Sequence, residues 1–123
     1  MEWASYQVAL VLLLTHELDA VRRHEWRIIP VLRSLPDHTG FVLFVVLHIP
    51  LFWLILLLSS DPDAGVRDWF QIALSAFCIA HAGLHKLYEK HPAYEFNNPL
   101  SRLLIWSCAI AGAIHLVLRA LAA

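Results

Sequence analysis

Four long apolar stretches constrain this chain more than any other feature: Trp3 to about Val21, Phe41 to Leu58, Trp69 to about Leu87, and Ser101 to Leu121. Each is near the roughly 20 helical residues that cross a bilayer core. They are Leu- and Ala-rich and do not alternate, which argues against strands. Composition agrees. Of the 123 residues, 59% are hydrophobic and 15% charged, with a mean hydropathy of +0.62, against about 45–50% apolar and about 25% charged in soluble domains. Disorder is excluded and a soluble globule disfavoured. Short connections carrying Pro30, Pro36, Gly40, Pro62, Gly65, Pro92 and Pro99 make sequential helices antiparallel neighbours. The expectation is an all-α, integral membrane four-helix bundle, up-down-up-down, forming one transmembrane domain over 1–123.

Charge sets the expected orientation. Arg22, Arg23, Arg27, Arg33, Lys86, Lys90 and Arg102 fall at one end of the spans, and Arg67 and Arg119 at the other. By the positive-inside rule both termini face outward, with the 22–39 and 88–100 connections cytoplasmic. Trp26, Ile28, Ile29, Val31 and Leu32 among the arginines suggest an interfacial segment. Trp3, Trp26, Trp53, Trp69 and Trp106 read as interfacial anchors. Met1-Glu2-Trp3 lacks the basic start of a signal peptide, so the first span is read as a mature helix. A net charge of −1 gives nothing that draws the chain to nucleic acid. Cys78 and Cys108 are too few for a disulfide scaffold, and Cys78 is read as a small buried hydrophobe.

The ionisable residues inside the spans are the functional signal. Counted at about 1.5 Å per residue, His16, His48 and His81 lie within roughly one turn of a common level near the cytoplasmic face, with His85 about one turn nearer it. His16 and Asp19 are i,i+3 and His81 and His85 are i,i+4, so each pair shares a helix face. Charged side chains at a membrane helix centre cost about 2.5–3.5 kcal/mol each on insertion scales and mark functional sites by default. A carboxylate with several imidazoles suits zinc or iron. His16, Asp19, His48, His81 and His85 are the expected ligands. Glu17 and Glu25 are the expected catalytic residues, Glu17 as general base, with Glu25 and His24 continuing the first helix to close the site from below. Pro50 is expected to kink the second span beside His48. His115 falls near the opposite face and is assigned a local bond or a contact with Arg119.

The strings Thr15-His16-Glu17-Leu18-Asp19-Ala20, Glu25-Trp26-Arg27, His48-Ile49-Pro50 and His81-Ala82-Gly83-Leu84-His85 together resemble a family of small, uncharacterised bacterial four-helix membrane proteins. A fainter similarity runs to HXXEE-domain membrane proteins, with Asp19-Ala20 standing where that motif has two glutamates. The resemblance implies the bacterial inner membrane and one shared pattern of His16, Asp19, Glu25, His48, His81 and His85, but no activity. Three functions remain open on the residues. The first is metal-dependent hydrolysis or hydroxylation of a lipid, isoprenoid or other apolar substrate. The second is electron transfer through haem b or a quinone, with His48 opposite His81 as axial ligands. The third is a structural or assembly subunit whose polar layer only fixes packing. Membrane lipids are the expected surroundings, and a homodimer would enlarge the cavity of so small a bundle.

Overall fold

A computed structural model describes residues 1–123 as four helices without strands: α1 (Glu2–Arg22), α2 (Asp37–Ser59), α3 (Ala64–Tyr88) and α4 (Pro99–Ala122). Two single 3-10 turns, Glu25–Arg27 and Leu32–Ser34, lie between α1 and α2. The helix starts follow local chemistry. Asp63 accepts from the backbone N–H of Gly65 and Val66 at the head of α3, and Asn98 accepts from Ser101 N–H ahead of Pro99 at the head of α4. Helix α2 continues through Pro50, whose missing N–H leaves the Val46 carbonyl without its usual partner.

Helices α1, α3 and α4 form a close seam, whereas α2 packs on α3 and on the two 3-10 turns. Small residues set the closeness. Cys78 and Cys108 are free thiols buried in the seam, with Ala9, Ala20 and Ala111 on the facing helices. At Gly112 an added Cβ would lie 2.6 Å from the Ser75 carbonyl oxygen and 3.2 Å from Cys78 Cβ. Two apolar clusters result. Tyr6, Ala9, Leu13, Ile55, Leu74, Cys78, Cys108 and Ala111 occupy the end nearer the termini. The other is built around the connections: Trp26, Ile28, Leu32 and Phe96 pack beneath Ala20, Phe44, Ala82 and Ile105.

The connections therefore form a floor under the bundle. Trp26 is no interfacial anchor: it is 4% exposed, donates from Nε1 to Asp37 Oδ1 at 3.0 Å, and lies where a Cβ on Gly40 would touch it. Trp3, Trp53, Trp69 and Trp106 are exposed. Nor does α1 run on to Glu25. It ends at Arg22, and the chain reverses at His24, the one non-glycine residue with positive φ (54°). A left-handed residue just past a helix end is a common stop, usually filled by glycine. At the opposite end the termini meet, with Arg119 Nη1 3.3 Å from Glu2 Oε2 and Arg119 Nη2 2.9 Å from Asp68 Oδ2.

By length and composition, α2 and α4 can each cross a membrane, with mean hydropathies of 2.8 and 1.8. Gly112→Ala should lower the unfolding free energy by about 1–3 kcal/mol, because the new methyl meets backbone. Gly83→Ala, where nothing lies within 4 Å, should be neutral or stabilising by up to about 1 kcal/mol. Thermal unfolding of the two variants in one detergent checks the contrast.

Candidate metal centre

Helix α1 contributes His16 and α3 contributes His81 and His85, one turn apart on its buried face. The reversal at His24 returns Glu25 beneath all three. Glu25 Oε1 lies 3.4 Å from His85 Nε2 and 3.9 Å from His81 Nε2, and Oε2 lies 4.0 Å from His16 Nε2. The Nε2 atoms of His81 and His85 are 3.2 Å apart. One donor atom from each of the four residues falls within 4.8 Å of every other. Ligands held about 2.0–2.1 Å from zinc stand roughly 3.3–3.4 Å apart, so the spacing brackets a coordination sphere. His16 has no exposed surface, and neither of its ring nitrogens has a hydrogen-bond partner. An imidazole so placed needs something to receive its lone pair or proton.

The surroundings hold the rings in place. His85 Nδ1 lies 3.2 Å from the Tyr94 hydroxyl. Burial, reinforced by Glu89 and Glu25, pushes that phenol up to about 12, so Tyr94 stays a hydroxyl. Phe96 packs against His85 and His16, and Phe77 against His81. Burial of Glu25 favours its neutral form, but the nearby imidazoles of His81, His85 and His16 outweigh it and hold the carboxyl below its ordinary range. Beside this group opens a cavity of about 340 Å³. Glu25, Ile28, Ile29 and Pro30 from the floor and His81, Leu84, His85 and Tyr88 from α3 line it.

Of the five residues expected as ligands, His16, His81 and His85 converge. Asp19 lies elsewhere: its Oδ2 accepts from Ser101 Oγ and its Oδ1 from Arg23 Nε at 3.3 Å, tying α1 to the head of α4. The i,i+3 spacing from His16 put both on one helix side but did not distinguish the α3-facing edge from the α4-facing one. His48 is also apart, with Nε2 2.8 Å from Glu17 Oε2 and Nδ1 against the Phe44 carbonyl. Both of its nitrogens are engaged, and Glu17 points to it rather than to the other histidines. Glu25, expected as a cap, stands inside the donor group. His24 Nδ1 lies 2.9 Å from Glu95 Oε2. His115 meets the Glu2 carbonyl at 3.0 Å, while Arg119 turns to Glu2 and Asp68.

A family described as a family of unknown function (DUF6713) matches residues 2–122. Comparison with curated proteins and with solved structures returned no match.

Asp19→Ala should cost about 1–3 kcal/mol of stability, since it strips partners from Ser101 and Arg23. It should leave the metal content of the purified protein unchanged. Thermal unfolding and elemental analysis of the same sample test both halves.

Proposed function

We propose that this chain, which belongs to the DUF6713 family of unknown function, is an integral membrane metalloenzyme of the bacterial inner membrane. Its substrate would be a lipid, isoprenoid or other apolar molecule. Helix α2 supports the membrane half of the reading. Its mean hydropathy is 2.8, yet only 11% of its apolar window is buried within the bundle. Val46, Ile49, Leu54, Leu56 and Leu57 all point outward. A core helix of a soluble protein would bury such residues, each worth about 1.5–3 kcal/mol when removed from water; hydrocarbon around the bundle does so instead. Seven of the nine basic residues lie at the end that carries the donor group, which makes that end cytoplasmic and both termini external.

One observation carries the metal half: three Nε2 atoms converge on one carboxylate at the wall of an apolar cavity, and the most buried imidazole has no protein partner. In this reading His16, His81 and His85 hold zinc through Nε2, and Glu25, which also lines the cavity, is the general base. Three protein ligands with a fourth position left open is the usual arrangement of catalytic zinc. The metal would supply a Lewis acid that polarises an ester or phosphoryl oxygen and acidifies water. His85 would donate from Nδ1 to Tyr94, fixing its tautomer. The apolar walls of the cavity admit an alkyl or isoprenoid substrate to Glu25. The 3.4 Å approach of Glu25 to His85 favours a second reading, in which Glu25 is a fourth ligand; that set of imidazoles and a carboxylate suits zinc or iron, and iron would supply oxygen-dependent hydroxylation.

Purified in mild detergent without chelator or histidine tag, the protein should carry about one zinc or iron per chain, falling roughly tenfold or more in His16→Ala and His81→Ala. Tyr94→Phe should weaken metal affinity by about tenfold. Glu25→Gln separates the readings: metal retained makes Glu25 the base, metal lost makes it a ligand. A stable, colourless, metal-free wild type would overturn both, and a Soret band would point to haem b.

A further inference from the structure

Helices α1 and α2 are consecutive but barely meet, because α1 packs on α4 while α2 packs on α3 and the floor turns. The furrow between them contains two hollows of about 360 and 260 Å³, adjoined by a third of about 200 Å³ that Phe70, Leu74 and Phe77 of α3 also line. Leu14 and Phe52 line all three, Leu18 and Ile55 two each. The largest alone reaches the roughly 300–1,000 Å³ of small-molecule sites. Only Thr15, Glu17 and His48 interrupt the apolar walls, and the Thr15 hydroxyl is occupied, donating to the Val11 carbonyl at 2.8 Å.

The Glu17–His48 pair stands partway along this furrow, remote in role from the metal donors. His48 faces an acceptor at each ring nitrogen, the Glu17 carboxylate and the Phe44 carbonyl. That uses Oε2 of Glu17. Oε1 has no protein partner, and Glu17 lines two of the hollows. A carboxylate oxygen can only accept, so a ligand head meeting it must donate a hydrogen. A carboxylate or phosphate head would instead bring like charge against it in an apolar setting, which is strongly unfavourable.

We propose that the α1–α2 furrow binds an uncharged long-chain alcohol or phenol, its apolar tail along Leu14, Leu18, Phe52 and Ile55 and its hydroxyl donating to Glu17 Oε1. The site does not depend on a metal at His16, His81 and His85.

The test uses the full chain in phosphatidylcholine nanodiscs, at alkaline pH, with a diazirine-bearing hexadecanol and the palmitate of equal length. The alcohol should label Leu14, Leu18, Phe52 or Ile55 over the acid by roughly fivefold, the worth of one net hydrogen bond. Leu18 is 75% exposed, so Leu18→Trp should fill the furrow and abolish this labelling while metal content stays at the wild-type level. Glu17→Gln should remove the discrimination between alcohol and acid. Equal labelling by both probes in the wild type would overturn the proposal. So would label shared evenly with Val46, Trp53 and Leu57, outward residues of α2 that do not line the furrow, because the furrow would then be solvated by lipid without selecting it.

Discussion

Everything in this bundle is arranged around the burial of His16. A polar side chain removed from solvent without partners costs about 1–3 kcal/mol for each unsatisfied group, and this ring has two such nitrogens and no exposed surface. The neighbouring polar groups gather around the ring without bonding it. His81 and His85 approach from α3, and Glu25 approaches from below on a reversed chain. None of these could reach His16 unless α1, α3 and α4 packed at the short distances their alanine, cysteine and glycine contacts permit. The seam and the donor group are thus one construction, and the small residues are the condition for the polar ones.

The floor under the bundle completes the site from outside the helices. His24 adopts a left-handed backbone at a position where glycine is usual, which costs about 1–2 kcal/mol for an ordinary residue. Its ring pairs with Glu95, and the turn it begins seats Trp26, Ile28 and Leu32 in the core. The same turn carries Glu25 to the three histidines, and Ile28, Ile29 and Pro30 become the apolar wall of the adjoining cavity. Helix α2 is attached mainly through this floor and α3 and meets α1 only through side chains, Tyr6 with Ser59 and Glu17 with His48 among them. Close packing on one side and a furrow on the other give the chain two separate apolar spaces with two separate polar centres.

Much of this was legible in the residues. The four helices follow from long apolar stretches bounded by Pro and Gly. His81 and His85 could be paired from their i,i+4 spacing, and depth counting brought His16 to the level of His81. The same counting brought His48 to that level and was misleading there, because depth along a helix says nothing about which neighbour a side chain faces. His48 met Glu17 across α1 and α2. Asp19 turned toward Ser101, since α1 presents that edge to α4 rather than to α3.

Local spacing by itself determined the helices, their order, the asymmetry of basic charge and the pairing of His81 with His85 near the depth of His16, because these depend on periodicity and on chemistry close along the chain. Tertiary structure alone decided that Glu25, not Asp19 or His48, joins those histidines, and that α2 stands away from α1. Both outcomes rest on contacts between distant residues: a left-handed reversal at His24 that no glycine announces, and a three-helix seam whose closeness leaves the fourth helix only its edge and its floor.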